Sequence, residues 1–467
     1  MPERNVTLPD HDTAPIGYVQ RWRGLGRAAW LYLLHAALLT SSLAITSLLF
    51  NLAILALGYP RSFLGLLNTL SLAVAGGMSL PLWWLAARAG LRRALVASAG
   101  LQAASACVFA LWPSRAPLLL ASALTGVAAV LFQVSAPPFM MRHSDAASRD
   151  HLFSANAAIN VGLAGLGSLV GGRLPELLGR QLGVGAESAL AYRASFMVAG
   201  VGLALSLVPL LLIKEAQSVE RRAQNTPSSP TRAPAPGREI PTIAKRAGSS
   251  RSKALRSALD HLPEAWRSTI LHPKPLLKLL TPPLLISAGA ALLIPYLNVF
   301  FKDRFALADS ALGLIFAALG VTTGLLALAG PLLSRRIGKI RTVALTQALS
   351  IPFLLALGFV PLLGVAVGAA LARAALFNMG APLYDAFALE RTDEPARPAV
   401  IGLINGAYSA GYLVGPLIST RAQERYGFAP LFVATAVCYA LAVLANYWFF
   451  VRADAAQAEA YLQSSAP

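Results

Sequence analysis

The segment LFQVSAP at 131–137 returns as LFNMGAP at 376–382, 245 residues later in a chain of 467. Downstream the echo continues, with Asn160 falling on Asn405. Upstream it recurs at a shift of 248: LAARAGLRR at 85–93 shares its frame with LSRRIGKIR at 333–341, and LGLL at 64–67 with LGLI at 312–315. A shift of slightly more than half the chain means that one structural unit has been used twice. Any fold proposed for this chain must accommodate that duplication.

Both copies lie in apolar sequence. Hydrophobic residues make up 56% and charged residues 13%, about half the charge of a soluble domain. The net charge of +18 does not mark a nucleic-acid binder, because the charges occupy short gaps between apolar runs instead of one polar face. Cys107 and Cys438 each sit inside an apolar run, which indicates neither a disulfide framework nor a metal site. The first apolar run is too long for a signal-peptide core and is expected to remain as a span.

A helix needs about 20 apolar residues to cross a bilayer. Twelve such runs are expected, at 28–57, 62–86, 94–112, 116–141, 152–175, 191–213, 276–301, 309–333, 342–361, 364–389, 399–421 and 428–451. The expected fold is therefore an all-α membrane protein of two six-helix pseudo-repeats. Its N-terminal half is 28–213 and its C-terminal half 276–451. A segment 1–27, a linker 214–275 and a tail 452–467 complete the chain. With both termini cytoplasmic, inner segments hold 28 of the 39 basic residues, so positive charge favours that orientation. The linker contains a Pro-rich stretch at 225–252, followed by Leu255, Leu259, Leu262, Trp266 and Ile270 at helical spacing, an expected interfacial helix. Trp22, flanked by Arg21 and Arg23, reads as a second interfacial anchor.

Duplicated membrane halves are typical of secondary transporters, which hold cargo at the repeat interface. The two halves, the basic central loop and the paired loop motif resemble the major facilitator superfamily. That family's loop usually reads Gly-x-x-x-Asp-Arg-x-Gly-Arg-Arg/Lys. Here Arg88, Gly90, Arg92 and Arg93 remain, while Ala87 stands at the Asp position and Trp83 at the first Gly. In the second copy Arg336, Gly338 and Lys339 remain, and Arg335 replaces the Asp. Helix 5 carries Gly167-Ser168-Leu169-Val170-Gly171-Gly172, similar to the Gly-Pro-x-x-Gly-Gly element of drug–proton antiporters. Helix 11 carries the related Gly411-Tyr412-Leu413-Val414-Gly415-Pro416. Glycines so spaced also serve close helix packing. The Arg common in helix 4 of proton-driven exporters is absent, with Ser122 at that place.

Charged groups inside a span cost about 2.5–3.5 kcal/mol on insertion scales. Arg373 is the clearest case, and its repeat-equivalent is Ala128. It reads either as a cargo contact or as half of a structural pair. Asp385 is a candidate coupling carboxylate or a hydrated interfacial acid. Asn378 matches Gln133 in the other copy, and such paired amides suit either a cargo site or interhelical bonding. The resemblance, in which helices 1, 4, 7 and 10 line the cavity with 5 and 11 contributing, adds Asn51, Asn298, Asn160, Asn405 and Tyr408 as substrate-binding candidates. Arg88, Arg92, Arg336, Lys339 and Asp385 are the gating or coupling candidates. His35 in the first span is expected to bond a neighbouring helix.

The expected function is secondary transport of a small solute by alternating access, leaning to efflux of amphipathic compounds. Ion-coupled uptake of a sugar or other metabolite is the alternative, and a transport-inactive sensor a further one. The chain is expected to be no enzyme and to need no cofactor. Its expected partners are a small-molecule substrate, protons or another coupling ion, and the lipid bilayer, without nucleic acid and as a monomer. The location is expected to be a bacterial inner membrane. No GxxxxGK[ST] loop is present for direct ATP use.

The orientation predicts that single cysteines introduced by Pro230→Cys and Lys245→Cys, in a background lacking the two native cysteines, react with an impermeant thiol reagent only from the cytoplasmic side. Labelling at either site in intact cells would reverse the topology.

Overall fold

The computed structural model describes residues 25–145, 148–213, 273–327 and 329–453. The expected interfacial helix at 255–270 and the anchor around Trp22 lie outside these residues. Among the described residues, twelve helices are long and apolar enough to span a membrane. They are α1 Arg27–Ala56, α2 Arg61–Ala89, α3 Leu91–Leu111, α4 Arg115–Arg142, α5 His151–Leu182, α6 Ala189–Leu212, α7 Lys274–Phe305, α8 Asp309–Leu326, α9 Lys339–Phe359, α10 Leu363–Glu390, α11 Val400–Tyr426 and α12 Ala429–Val451. Backbone groups in lipid have no water partner, so each span satisfies its own hydrogen bonds. Large apolar side chains such as Leu120, Leu205, Val437 and Leu441 are exposed, as lipid contact requires.

The apolar runs locate the spans, but helix ends follow other signals. Helix α5 continues seven residues past the expected 175, through Pro175, a Glu176–Arg180 ion pair one turn apart at 2.5 Å, and stops at Gly183, where φ is +69°. Helix α11 runs to Tyr426 instead of 421. Gln423 Nε2 donates to Ser419 Oγ at 2.9 Å, and Gly427 with φ +69° ends the helix. Helix α8 stops short of 333, and a separate short helix, Gly330–Ile337, precedes α9. Pro295 sits in a 3-10 turn, Ile294–Tyr296, that interrupts α7. Pro209 removes the N–H owed to the carbonyl four residues earlier, and α6 breaks at Ser206. His35 Nδ1–H donates to the Ser206 carbonyl at 2.8 Å, the interhelical bond expected of it.

The structure falls into two compact units. Of the described residues, unit 1 contains those of 25–213 and 301–321, and unit 2 those of 273–300 and 322–453. Within unit 1, α1 packs on α5 and α6, α3 on α4 and α6, and α2 on α4. Unit 2 repeats this scheme: α7 packs on α11 and α12, α9 on α10 and α12, and the short helix Gly330–Ile337 on α10. The loop motif is duplicated in conformation too. Gly90, between α2 and α3, has φ +96°, and Gly338, between the short helix and α9, has φ +88°. Residues with a Cβ avoid that region, which accounts for the glycine kept in both copies.

Small residues let these helices approach. Gly167 and Gly171 of α5 lie against Ser41 and Ile45 of α1, while Gly411 and Gly415 of α11 lie against Ser287 and Ala291 of α7. The two glycine elements thus do the same packing job in each unit. A Cβ at Gly411 would come within 2.5 Å of the Ser287 carbonyl carbon. Gly411→Ala should therefore destabilise the protein by about 1–3 kcal/mol. Gly406→Ala, where nothing lies within 4 Å, should leave thermal stability unchanged or slightly raised. Equal melting temperatures for the two variants would refute the packing account.

Candidate functional site

In unit 2, α10 places Arg373 ten residues beyond Leu363, about 15 Å along the helix. Its side chain is 6% exposed. Nε and Nη1 are buried and have no hydrogen-bond partner, each a loss of about 1–3 kcal/mol for an unsatisfied donor. One turn along, Phe377 turns its ring toward the guanidinium, 5.9 Å from its centroid. Tyr439 of α12 stacks on Phe377 at 4.8 Å with an interplanar angle of 18°. The Tyr439 hydroxyl lies near enough to Arg373 to interact with its guanidinium by charge and by a weak hydrogen bond, but not in good hydrogen-bonding geometry. Tyr412 of α11 lies within electrostatic reach of the same charge.

The other candidates of unit 2 are spread along α7, α10 and α11. Asn378 is half-buried and donates Nδ2 to the Ala374 carbonyl of its own helix at 2.7 Å, which occupies one of its two donor hydrogens. Asp385 is half-buried and acts electrostatically on Tyr408 and Tyr384, so two sequence candidates, Asp385 and Tyr408, do come together. Asn405 is exposed. Asn298 is buried, and its Oδ1 accepts from the Val299 N–H at 2.9 Å. Lys339 pairs with Glu390 at the end of α10. Glu390, 51 positions away in sequence, is thus the acidic partner of this loop lysine. Arg336 is exposed.

In unit 1, Gln133 of α4 is exposed. Asn160 of α5 accepts a hydrogen bond from Thr40 of α1 at 2.8 Å, and Asn51 is buried in α1. Arg92 donates to the carbonyls of Leu210 and Leu211 at 2.8 and 2.7 Å, tying α3 to the end of α6. Arg88 lies over the Trp84 ring, 3.7 Å from its centroid.

The sequence reading missed a polar cluster, also in unit 1. Asp309, at the start of α8, is 6% exposed and Tyr192 of α6 is 1% exposed. The Tyr192 hydroxyl donates to the Asp309 carboxylate at 2.7 Å and accepts from Lys302 Nζ at 3.2 Å. Lys302 also pairs with Asp309 and with Glu187 at 2.9 Å. Nearby in sequence, Asp303 pairs with Arg61 at 2.5 Å. An acid at a helix N-terminus is also favoured by the helix dipole. The one sequence signal was the pair Lys302 and Asp309 flanking a short loop. Asp309→Ala would leave Lys302 and Tyr192 without their acceptor and should cost about 3 kcal/mol or more. Glu187→Gln, on the exposed rim, should cost about 0–1 kcal/mol. Thermal unfolding of the two variants checks this, and similar melting temperatures would contradict a buried network centred on Asp309.

A family model described as Major Facilitator Superfamily matches residues 32–363, and a second match covers residues 283–463. Comparison with curated proteins finds no significant sequence match. Among solved structures, a bacterial homologue of the human lysosomal transporter Spinster superposes with a TM-score of 0.64 at 16% identity, over 94% of this chain and 96% of that one. A D-xylose–proton symporter gives 0.65 at 14% identity, over 90% and 97%. The nucleoside transporter NupG gives 0.64 at 12% identity, over 91% and 98%. At these identities the likeness is one of fold. The family match, covering nearly all of the described spans, makes this chain a member of the Major Facilitator Superfamily.

Proposed function

We propose that the protein is a secondary active transporter that exports a small amphipathic solute across the inner membrane by alternating access. The observation that carries this reading is Arg373, a buried charge with unsatisfied donors beside the stacked rings of Phe377 and Tyr439. Intramembrane charges mark substrate and ion pathways when no structural partner claims them. Aromatic faces beside a charge fit a solute that is part polar and part apolar. Exposed amides and hydroxyls at Gln133, Asn405 and the half-buried Tyr408 offer further hydrogen bonds without fixed charge. The resemblance of the α5 glycine element to that of drug–proton antiporters favours export over uptake.

Protons are the proposed coupling ion, with Asp385 as the carrier. A half-buried acid in a span can take and release a proton as its surroundings change, and the adjacent Tyr408 gives the change of charge something to act on. The solved symporter is named for proton coupling, which supports the choice of ion. Lys339 with Glu390 forms an ion pair at the base of α9 and α10 that can part and re-form as the helices move. Arg88, Arg336 and Arg92 would keep basic charge on the cytoplasmic side.

Flux in proteoliposomes under an imposed proton gradient tests this. Wild-type protein should move an amphipathic solute against its gradient, from the cytoplasmic face outward. Asp385→Asn should abolish the gradient-driven movement while solute exchange without a gradient continues. Undiminished driven transport by Asp385→Asn would remove Asp385 as coupling residue, and concentrative entry of a sugar would replace export with uptake.

A further inference from the structure

We propose that Arg373 receives the carboxylate of the cargo, so that the transported class is amphipathic organic anions. This rests on the transport reading above and names the substrate class of the same site. Arginine cannot shed its charge in a protein, so a buried guanidinium needs an anionic acceptor, and the polar side chain beside it, Tyr439, is neutral and out of hydrogen-bond geometry. Among the described residues no carboxylate pairs with Arg373, and the acid on its own helix, Asp385, lies twelve residues away, about 18 Å. Three buried polar atoms in one neighbourhood, Nε and Nη1 of Arg373 and the hydroxyl of Tyr439, have no partner in hydrogen-bond geometry. Of the guanidinium nitrogens, only Nη2 falls outside that buried, partnerless set. A carboxylate has two oxygens that match a parallel pair of guanidinium N–H groups, one on Nη2 and the other on Nε or on Nη1, and this pairing is among the strongest a neutralising group can make.

The surroundings narrow the class further. Phe377 and Tyr439 present a stacked aromatic pair beside the charge, and Tyr412 and Tyr439 both fall under its field. An inorganic anion would leave those faces unused, whereas an aryl or alkyl carboxylate would cover them. The repeat supports a dedicated role. The equivalent place in unit 1 is Ala128, fully buried, whose carbonyl accepts from Ser98 at 2.7 Å in the α3–α4 contact. Helix packing at that depth is thus achieved without a charge, and unit 2 carries one for another purpose.

The test uses the full-length protein in phosphatidylcholine nanodiscs, with its melting temperature followed against benzoate, benzamide, benzylamine and inorganic phosphate. Benzoate should raise the melting temperature saturably and the other three should not. Arg373→Lys should raise the half-saturating benzoate concentration about tenfold or more, and Arg373→Gln should abolish the response. Tyr439→Phe keeps the ring, removes the hydroxyl and should weaken the response several-fold, which preserves the test if Arg373→Gln does not fold. Stabilisation by benzamide or phosphate equal to that by benzoate, or an unchanged benzoate response in Arg373→Gln or Tyr439→Phe, would overturn the proposal. Nanodiscs containing phosphatidylglycerol separate the two sources of an anionic group. If that lipid stabilises the wild type, blocks benzoate and loses both effects in Arg373→Gln, the site belongs to a lipid head group. Benzoate binding without any solute flux would instead retain the site and remove the transport reading.

Discussion

Helix meeting helix gains no hydrophobic free energy in lipid, because hydrocarbon tails are as apolar as leucine. What holds this protein together is close approach of backbones, and glycine decides where that occurs. Gly167 and Gly171 bring α5 onto α1, Gly411 and Gly415 bring α11 onto α7, and Gly172 meets Gly313 of α8 with a would-be Cβ 2.9 Å from its Cα. Short side chains then reach the neighbouring carbonyls that such proximity exposes. Ser98 bonds the Ala128 carbonyl, Ser105 the Ala121 carbonyl and Thr435 the Gly289 carbonyl. The polar atoms of the spans are largely consumed by this packing, and the few that are not become conspicuous.

The duplication explains why the fold could be read so far ahead. Twelve apolar runs correspond one to one with the twelve spans, since a span must be apolar along its length whatever it packs against. Their ends are another matter. Hydropathy fails wherever a helix continues past its apolar run into charged sequence, as α5 does between Arg173 and Leu182. There the stop is a backbone event at Gly183, invisible to a count of apolar residues. The breaks in α6 and α7 follow from Pro209 and Pro295, which the apolar runs contained without revealing which way the chain would adjust.

Legibility of the site was uneven for a physical reason. A charge in a span announces itself by its cost, so Arg373 stood out from sequence alone. Its neighbours did not. Tyr439 is 66 residues away on α12 and Tyr412 sits within a glycine element whose packing job is plain, so nothing local marks either as part of a site. Asp309 failed for the opposite reason. At the edge of a span it read as an ordinary loop acid, and only the fold shows it buried between Tyr192 and Lys302. Matching positions in the repeat also differ in exposure. Gln133 is exposed, while its counterpart Asn378 is half-buried and bonded to its own helix.

The two copies therefore share a backbone scheme and differ in chemistry. The glycine turns at Gly90 and Gly338, the paired helix contacts and the Pro137 and Pro382 positions inside α4 and α10 are common property. One divergence stands out at the depth of Arg373. Unit 1 has a small, fully buried alanine at the depth where unit 2 has a charged and unsatisfied arginine. A structural role would call for an anionic partner within unit 2, and the aromatic groups beside Arg373 offer a neutral hydroxyl that is out of hydrogen-bond geometry. A fold that tolerates the loss of several hydrogen bonds at one point, while its repeat shows that the point can be filled with a methyl group, is keeping that charge for something outside its own chain.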